Sequence, residues 1–557
     1  MLDSNFDVII LGTGLTEAVV AAALSKWGFR VAHIDQNSYY GGDEASLTLD
    51  EFANWVDSPK SNPEKYLSAS RSTTVPPFAR QYSICLSPTI IPSIGPFIDA
   101  LIQSGVSKYS GFRLLDHVAV YDGAGGLKNV PGSKEDVFKN QDIGLVQKRR
   151  LMRFLTFAVG DYEQSAQLQG KHDMPFTKFL ETVFSLSEEL ISVITYALAY
   201  SSKPTDPTKL VLPRIQRYLR SVGRYGPSPF LVGHYGGVGE ISQGFCRAAA
   251  VNGAVYILGR NVVSITATST TPATAGDTEN TEPHPEKPHR YSVVLEDIPE
   301  PLHAHVILGP TSHVPVQLPS DTRYIPVSPS FQAAYAPTAI ARCVAILEHP
   351  IKLHPPPQAG GNKEDDYGDD DDADSNEDHP EEETSSTVKI LDTAVLVFPP
   401  GSLVDGFSAS SAVVLMTGEG ALSTPKGKCI LYINLPVADG IGIDPSETLR
   451  PYLDAVLKLG EEFQDPLFTT FYIEHAKDTP SSAGDPHPIN RPSWLVPPPV
   501  PLGPIGDVAD AAAHNAEVTF HEILQALRDE GKRYQKEDAQ NGGIWPKFVA
   551  TENEDEV

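Results

Sequence analysis

Gly12, Gly14 and Asp35 are the residues whose types and spacing bear most directly on chemistry. They belong to the turn Gly12-Thr13-Gly14-Leu15-Thr16-Glu17 and to the acid that follows it. Glycine at 12 suits a tight turn, and glycine at 14 lets a pyrophosphate approach the backbone. Asp35 stands 21 residues past Gly14, where a ribose-binding acid belongs. Such a set binds a dinucleotide, and a flavin (FAD) or nicotinamide oxidoreductase would follow. Glu17 opposes that reading, because it replaces the third glycine of the fingerprint. A carboxylate in the first helical turn competes for the N–H groups and the positive dipole end that hold a pyrophosphate. The fold signal survives while the cofactor signal is damaged, so these four positions read as vestigial.

The elements that position them are legible. Phe6-Asp7-Val8-Ile9-Ile10-Leu11 is a short apolar run fit for a buried parallel strand. Ala18 to Trp27 reads as a helix stopped by Gly28, and Val31-Ala32-His33-Ile34-Asp35 as a second strand. The fold class is α/β, built on a Rossmann-type βαβ unit. From Val137 to about Arg224 the pattern turns helical, with predicted helices over 145–159, 176–186, 190–200 and 213–222. This predicts an all-α domain, 131–224, inserted between 1–130 and 225–510. Glycines and aromatics then crowd residues 225–239, ahead of a helix predicted from Ile241 to Asn252. Arg247 lies seven residues after Glu240, two turns along on roughly the same face. Residues 266–288 and 355–387 are too polar to offset the entropy of ordering, and both are expected to be disordered. Trp494 to Pro504 reads as extended and Pro-rich, and 507–557 as a C-terminal helix with an acidic tail.

The net charge of −28 is unevenly placed. Thirteen acids lie within 364–383 and four more in the last six residues; setting these aside leaves −11. No basic stripe suited to nucleic acid is present. Four cysteines (Cys85, Cys246, Cys343, Cys429) lack CxxC spacing, which fits a reducing cytoplasm and no zinc site. No apolar run approaches the ~20 residues that span a bilayer, and no leader or terminal prenylation cysteine is expected. Motifs of zinc proteases, serine hydrolases and P-loop enzymes are absent, so no catalytic residue and no metal ligand is assigned.

Two blocks carry a resemblance. One is Asp7 to Glu17 with Asn37-Ser38-Tyr39-Tyr40-Gly41-Gly42 and Ala45-Ser46. The other is Tyr235-Gly236-Gly237-Val238-Gly239-Glu240-Ile241-Ser242-Gln243-Gly244-Phe245-Cys246-Arg247, followed by Gly253-Ala254-Val255-Tyr256. Together they resemble the Rab GDP-dissociation inhibitor and Rab escort protein superfamily. Pro88 to Tyr109, Asn129 to Phe138, Arg153 to Phe157, and the length of the chain look more like the escort branch.

The resemblance implies a flavin-monooxygenase-like fold without bound flavin, carrying an inserted all-α domain. It implies function by binding, with no cofactor and no catalytic role. An escort protein takes unprenylated, GDP-bound Rab GTPases and presents them to the Rab geranylgeranyltransferase heterodimer. It shelters the geranylgeranyl lipid and delivers prenylated Rab to membranes, which it visits transiently from the cytoplasm. The alternative within the family is a GDP-dissociation inhibitor that recycles prenylated Rabs. Each buried CH₂ is worth ~0.8 kcal/mol, so a twenty-carbon isoprenoid needs such shelter. By resemblance the Rab-binding platform falls on Tyr39, Arg80, Glu240, Gln243 and Arg247, with Val255 and Ile257 on the next strand. Ser242 departs from a usual proline and Val255 from a common threonine. The helical domain, with Arg224 at its exit and Tyr218 as candidate anchoring aromatic, would carry the transferase contact and the prenyl site. Trp494-Leu495-Val496 is expected to offer apolar surface to the Rab C-terminus, and the acidic insertion to be dispensable.

Overall fold

The computed structural model describes residues 4–58, 65–130, 143–267, 289–310, 313, 322–326, 336–353, 389–390, 392–438, 440, 442–460, 463–476, 494–529 and 543–546. Strand β1 (Asn5–Leu11), helix α1 (Leu15–Lys26) and strand β2 (Val31–Asp35) form the expected opening unit. The two strands pair in parallel, with Val8 opposite Val31. Both are buried on both faces, which is why they read as unbroken apolar runs without alternation.

Among the helices that follow are α2 (Pro96–Ser104), α3 (Leu145–Val159), α4 (Thr208–Ser221) and α5 (Val238–Val251). Strands β3 (Val255–Leu258), β4 (Val262–Ala267), β5 (Tyr291–Leu295) and β6 (Ile298–Leu308) complete a sheet in the order β3-β2-β1-β6-β5-β4. The β3, β2, β1 and β6 pairings are parallel; β6-β5 and β5-β4 are antiparallel. Trp494–Val496 extends this sheet, with Trp494 opposite Ile307. Trp494 and Leu495 are each 1% exposed, which corrects the expectation of an apolar surface there. A short apolar run between prolines looks the same in sequence whether it is a buried strand or a bare patch.

A second sheet of eight strands packs beside the first, running in space from Tyr66–Arg71 through Ala339–Leu347 to Leu127–Asn129. The Pro445–Leu457 helix covers one face of it with Leu449, Tyr452, Leu453 and Val456. Helix α6 (Val508–Asp529) packs against α1 and α2.

Between α3 and α4 turns and loops separate two short helical stretches, Phe176–Phe184 and Glu188–Leu198, each ending in a wide π turn (Leu180–Phe184 and Val193–Leu198). Phe154, Phe176, Phe179 and Phe184 are fully buried there, their rings 5.2–6.3 Å apart. This core is continuous with that of the βαβ unit. Helix α4 begins at Thr208 and contains Pro213, whereas the sequence places Pro213 at its start. An interior proline costs about 3 kcal/mol. The buried face of Val211, Leu212, Ile215 and Tyr218 holds the helix through it.

Charged side chains tie α4 to α6. Arg214 Nε meets Asp507 Oδ2 at 2.6 Å, and Arg217 pairs with both Asp507 and Asp510. Asp510 Oδ1 also accepts the Phe97 N–H at 3.1 Å, in the first turn of α2. At the far end of the chain, Trp27 Nε1–H donates to the Ile544 carbonyl at 2.9 Å. Trp545 lies against Phe245 of α5, with ring centroids 6.2 Å apart.

The four cysteines are buried and unbridged. Among the described residues no helix is long and apolar enough to cross a membrane. Residues 268–288, the acidic insertion 355–387 and the tail after 546 lie outside the described residues, as does 131–142. Of the loop expected over 266–288, Thr266 and Ala267 are strand.

Candidate functional site

The glycine turn is occupied by the protein's own groups. Gly12 takes φ +90°, a conformation that side-chain-bearing residues resist. A Cβ at Gly12 would stand 3.3 Å from His313 Nε2, so an imidazole lies over the turn. Glu44 Oε2 accepts the Leu15 N–H at 3.1 Å, at the N-terminus of α1. A Cβ at Gly14 would fall 2.7 Å from Glu17 Oε2 and 3.2 Å from Glu44 Oε2. Two carboxylates therefore meet where a pyrophosphate would sit.

Asp35 faces inward and is 0% exposed. Its Oδ2 accepts from Thr13 N at 2.8 Å and Thr13 Oγ1 at 2.6 Å, and its Oδ1 from Asn37 N at 2.8 Å. No ribose hydroxyl reaches a carboxylate so engaged. The residues present do not fit a dinucleotide, and no reaction step is derived through one. Beneath the turn, buried His33 bonds through Nε2 to the Gly12 carbonyl at 2.5 Å and through Nδ1 to Tyr256 Oη at 3.1 Å. Burial pushes its pKa down to about 4, so it is neutral; the Gly12 carbonyl then takes the Nε2–H, and Nδ1 accepts from the tyrosine.

The outward side of the same region is helix α5. Gly236 and Gly237 take φ +85° and +83° just before it. A Cβ at Gly239 would fall 2.6 Å from Glu44 O, so only glycine lets the loop after β2 rest on α5. Buried Ser242 donates its hydroxyl to the Thr13 carbonyl at 3.3 Å, a contact a proline there would lack. These contacts bring the Tyr39 loop and the start of α5 together. The loop is also anchored to the second sheet. Lys65 Nζ lies 3.0 Å from Asp43 and 3.0 Å from Glu474, and Arg342 pairs with Glu474.

Glu240, Gln243 and Arg247 recur at three- and four-residue spacing and share one face of α5. Glu240 is half-buried and its carboxyl is raised by that burial; Gln243 and Arg247 are exposed. Tyr39 is half-buried, and its hydroxyl is pushed up to about 12 by burial and then by Asp35, Asp43 and Glu51. It stays a neutral donor. Arg80 is exposed, in the 3-10 turn Ala79–Gln81. Val255 and Ile257 are differently placed. They lie on edge strand β3, but pack against the cluster containing Val262 and Tyr291. Tyr256, between them, points to the α5 side. The residues expected to form one platform thus divide, with Val255 and Ile257 on the sheet face away from α5.

Arg224 is exposed, its guanidinium 5.5 Å from the ring centroid of Tyr225. Tyr218 is only 4% exposed and packs edge-on against Phe230, which corrects its expected role as a surface anchor. The apolar face of α4 turns it inward. With Tyr200, Arg214 and Arg217 it lines a small cleft of ≈ 10 Å³, room for about one water. The exposed aromatic at this exit is Tyr225. Among the described residues no group of His, Cys, Asp and Glu is arranged to hold a metal. Sequence reasoning missed Glu44, Thr13 and His313, although the acids after Gly41-Gly42 were in plain view.

Residues 2–280, half of the 557-residue chain, match the family described as GDP dissociation inhibitor (GDI). The chain belongs to the GDI family. A relative from Candida albicans called Rab proteins geranylgeranyltransferase component A is 36% identical over 266 residues, covering 46% of this chain and 41% of that one. A Saccharomyces cerevisiae protein of the same name is 30% identical over 435 residues, covering 77% of this chain and 61% of that one. This GDI-family chain thus spans about half the length of the curated relatives it matches. Among solved structures, Rab GDI from Plasmodium falciparum aligns with a TM-score of 0.60 at 19% identity, over 94% of this chain and 98% of that one. An oxidoreductase from Methanosarcina mazei aligns with a TM-score of 0.52 at 13% identity, over 93% and 100%. These two similarities establish a fold shared by the GDI family and an oxidoreductase.

Proposed function

We propose that the chain acts as a Rab escort protein, a non-catalytic accessory component of Rab geranylgeranyltransferase. In this reading it binds unprenylated GDP-bound Rab through Tyr39, Arg80, Glu240, Gln243 and Arg247, with Val255 and Ile257 supporting the edge of that surface from the sheet. It presents the Rab C-terminus to the transferase heterodimer and carries the geranylgeranylated product to a membrane. The observation that carries the reading is the closed cradle over Gly12 and Gly14. With Glu44, Asp35 and His313 occupying that space, what the unit offers outward is the Tyr39 loop and α5. The names of the relatives support the escort branch.

The inserted helical domain, 131–224, is where this reading puts the transferase contact and the isoprenoid. Helix α3 supports it, with Leu145 and Val146 76% and 61% exposed beside Arg149. Arg224 and Tyr225 form the exit of that segment. The membrane visits are transient in this reading, and the protein is otherwise cytoplasmic.

The test is reconstitution of prenylation. Rab should acquire geranylgeranyl groups from the purified transferase only when this chain is added. Equal prenylation without it would sink the escort reading. The likeness to Rab GDI favours a second reading, a GDP-dissociation inhibitor. Tight binding of prenylated Rab only, with no support of the transferase, would establish that one.

A further inference from the structure

We propose that Tyr109 is a positioning residue of the α5 face, holding Arg247 in the orientation in which it meets a carboxylate of the GTPase. The proposal rests on the reading that α5 faces Rab. Tyr109 follows the 3-10 turn Val106–Lys108, just after α2. It is a large ring left 45% exposed. It grips α5 twice. Its hydroxyl donates to the Gly244 carbonyl at 2.9 Å, and its ring lies under the Arg247 guanidinium, 5.3 Å from centroid to Cζ.

Gly244 makes the grip fit. A Cβ there would fall 3.1 Å from Val106 Cγ1, 3.3 Å from Ser110 Oγ and 3.6 Å from Tyr109 Cε2. Any side chain at 244 presses the Tyr109 segment off the helix. The residue that the ring supports stands three positions further along the same helix, beside Gln243 on the exposed side.

An exposed arginine samples many rotamers and loses that freedom when it binds. A guanidinium laid on an aromatic face is held flat, and its N–H fork is directed to the side. A fork so held matches a carboxylate, which accepts two parallel N–H bonds. Tyrosine and arginine are also the types enriched where interfaces concentrate their energy.

The experiment measures affinity of the full chain for an unprenylated, GDP-loaded Rab. The variants are Tyr109→Phe, Tyr109→Leu, Arg247→Ala, Arg247→Lys and the Tyr109→Leu/Arg247→Ala pair. Tyr109→Phe keeps the ring and should stay within about twofold of wild type, while Tyr109→Leu loses about three- to tenfold. The pair should bind no more weakly than Arg247→Ala alone, because Tyr109 acts through Arg247. Losses that multiply in the pair overturn the positioning role. A loss in Arg247→Ala with none in Tyr109→Leu removes Tyr109 and leaves the α5 reading standing. No loss in Arg247→Ala, or no binding by wild type, removes the α5 reading and Tyr109 with it. Should Tyr109→Leu fail to fold, Arg247→Lys decides: it keeps the charge without the planar fork, and unchanged affinity overturns the stacking.

Discussion

Glu44 and Leu15 stand 29 residues apart in the chain, and the carboxylate of one caps the helix that begins at the other. The helix N-terminus that would serve a phosphate in a dinucleotide enzyme is satisfied here from within.

Glu44→Ala should therefore cost about 1–2 kcal/mol of stability, the range for losing an N-terminal cap. Urea denaturation measures it. The wild-type protein should purify without flavin absorbance, because Glu17 and Asp35 also oppose a dinucleotide. A stoichiometric flavin spectrum would refute the closed cradle.

Substitutions at Arg247 and Ile257 should separate binding from folding. Arg247→Ala should weaken Rab binding by about 1–3 kcal/mol, the range for a charged hydrogen-bond partner lost, with little change in melting temperature. Ile257→Ala should do the reverse and lower stability by roughly 1–3 kcal/mol, because its side chain packs against the Val262 cluster. Titration calorimetry and thermal unfolding on both variants would show whether the two effects separate.

Asp507 is buried, which pushes its carboxyl up, but Arg214 and Arg217 outweigh burial and hold it below its usual range. A depressed carboxylate contributes stability that is present above its unfolded pKa of about 4 and lost as pH falls through the folded value. Asp507→Asn leaves two arginines facing a neutral amide and should destabilise by about 3–5 kcal/mol at pH 7. Denaturation of wild type and variant at pH 7 and pH 3 should show the gap narrowing in acid.

His33 loses stability in the same direction as pH falls, over a higher window. Its folded pKa is about 4 against 6.5 in the unfolded chain. Between those values the unfolded state takes up a proton that the folded state refuses, so stability falls as pH drops from 6.5 to 4. The loss approaches about 3 kcal/mol over the window. His33→Gln should flatten that slope, and an unchanged slope would assign it to other groups.

The opening βαβ unit was legible because its strands are apolar throughout and its turn needs glycine. Helix α5 was also legible, starting three residues before the predicted Ile241 because the glycines at 236 and 237 mark its entry. What local pattern does not carry is a partner distant in the chain. Glu44 looks like any turn acid until the fold lays Gly239 against its carbonyl. Asp35 has the spacing of a ribose ligand, and only the structure shows its oxygens turned onto Thr13. Tyr218 has the aromatic character of an anchor, yet helical periodicity alone did not reveal which neighbour its face would meet.

The contact of Trp27 with Ile544 joins positions 517 apart in the chain. At about 5–20 residues per second of synthesis, roughly 25–100 s separate the appearance of one from the other. Until then the Trp27 indole at the end of α1 lacks its Ile544 partner, and the Phe245 ring, once made, lacks Trp545. The N-terminal unit is made early and finished late. Helix α5 acquires its full support only once residue 545 has been made.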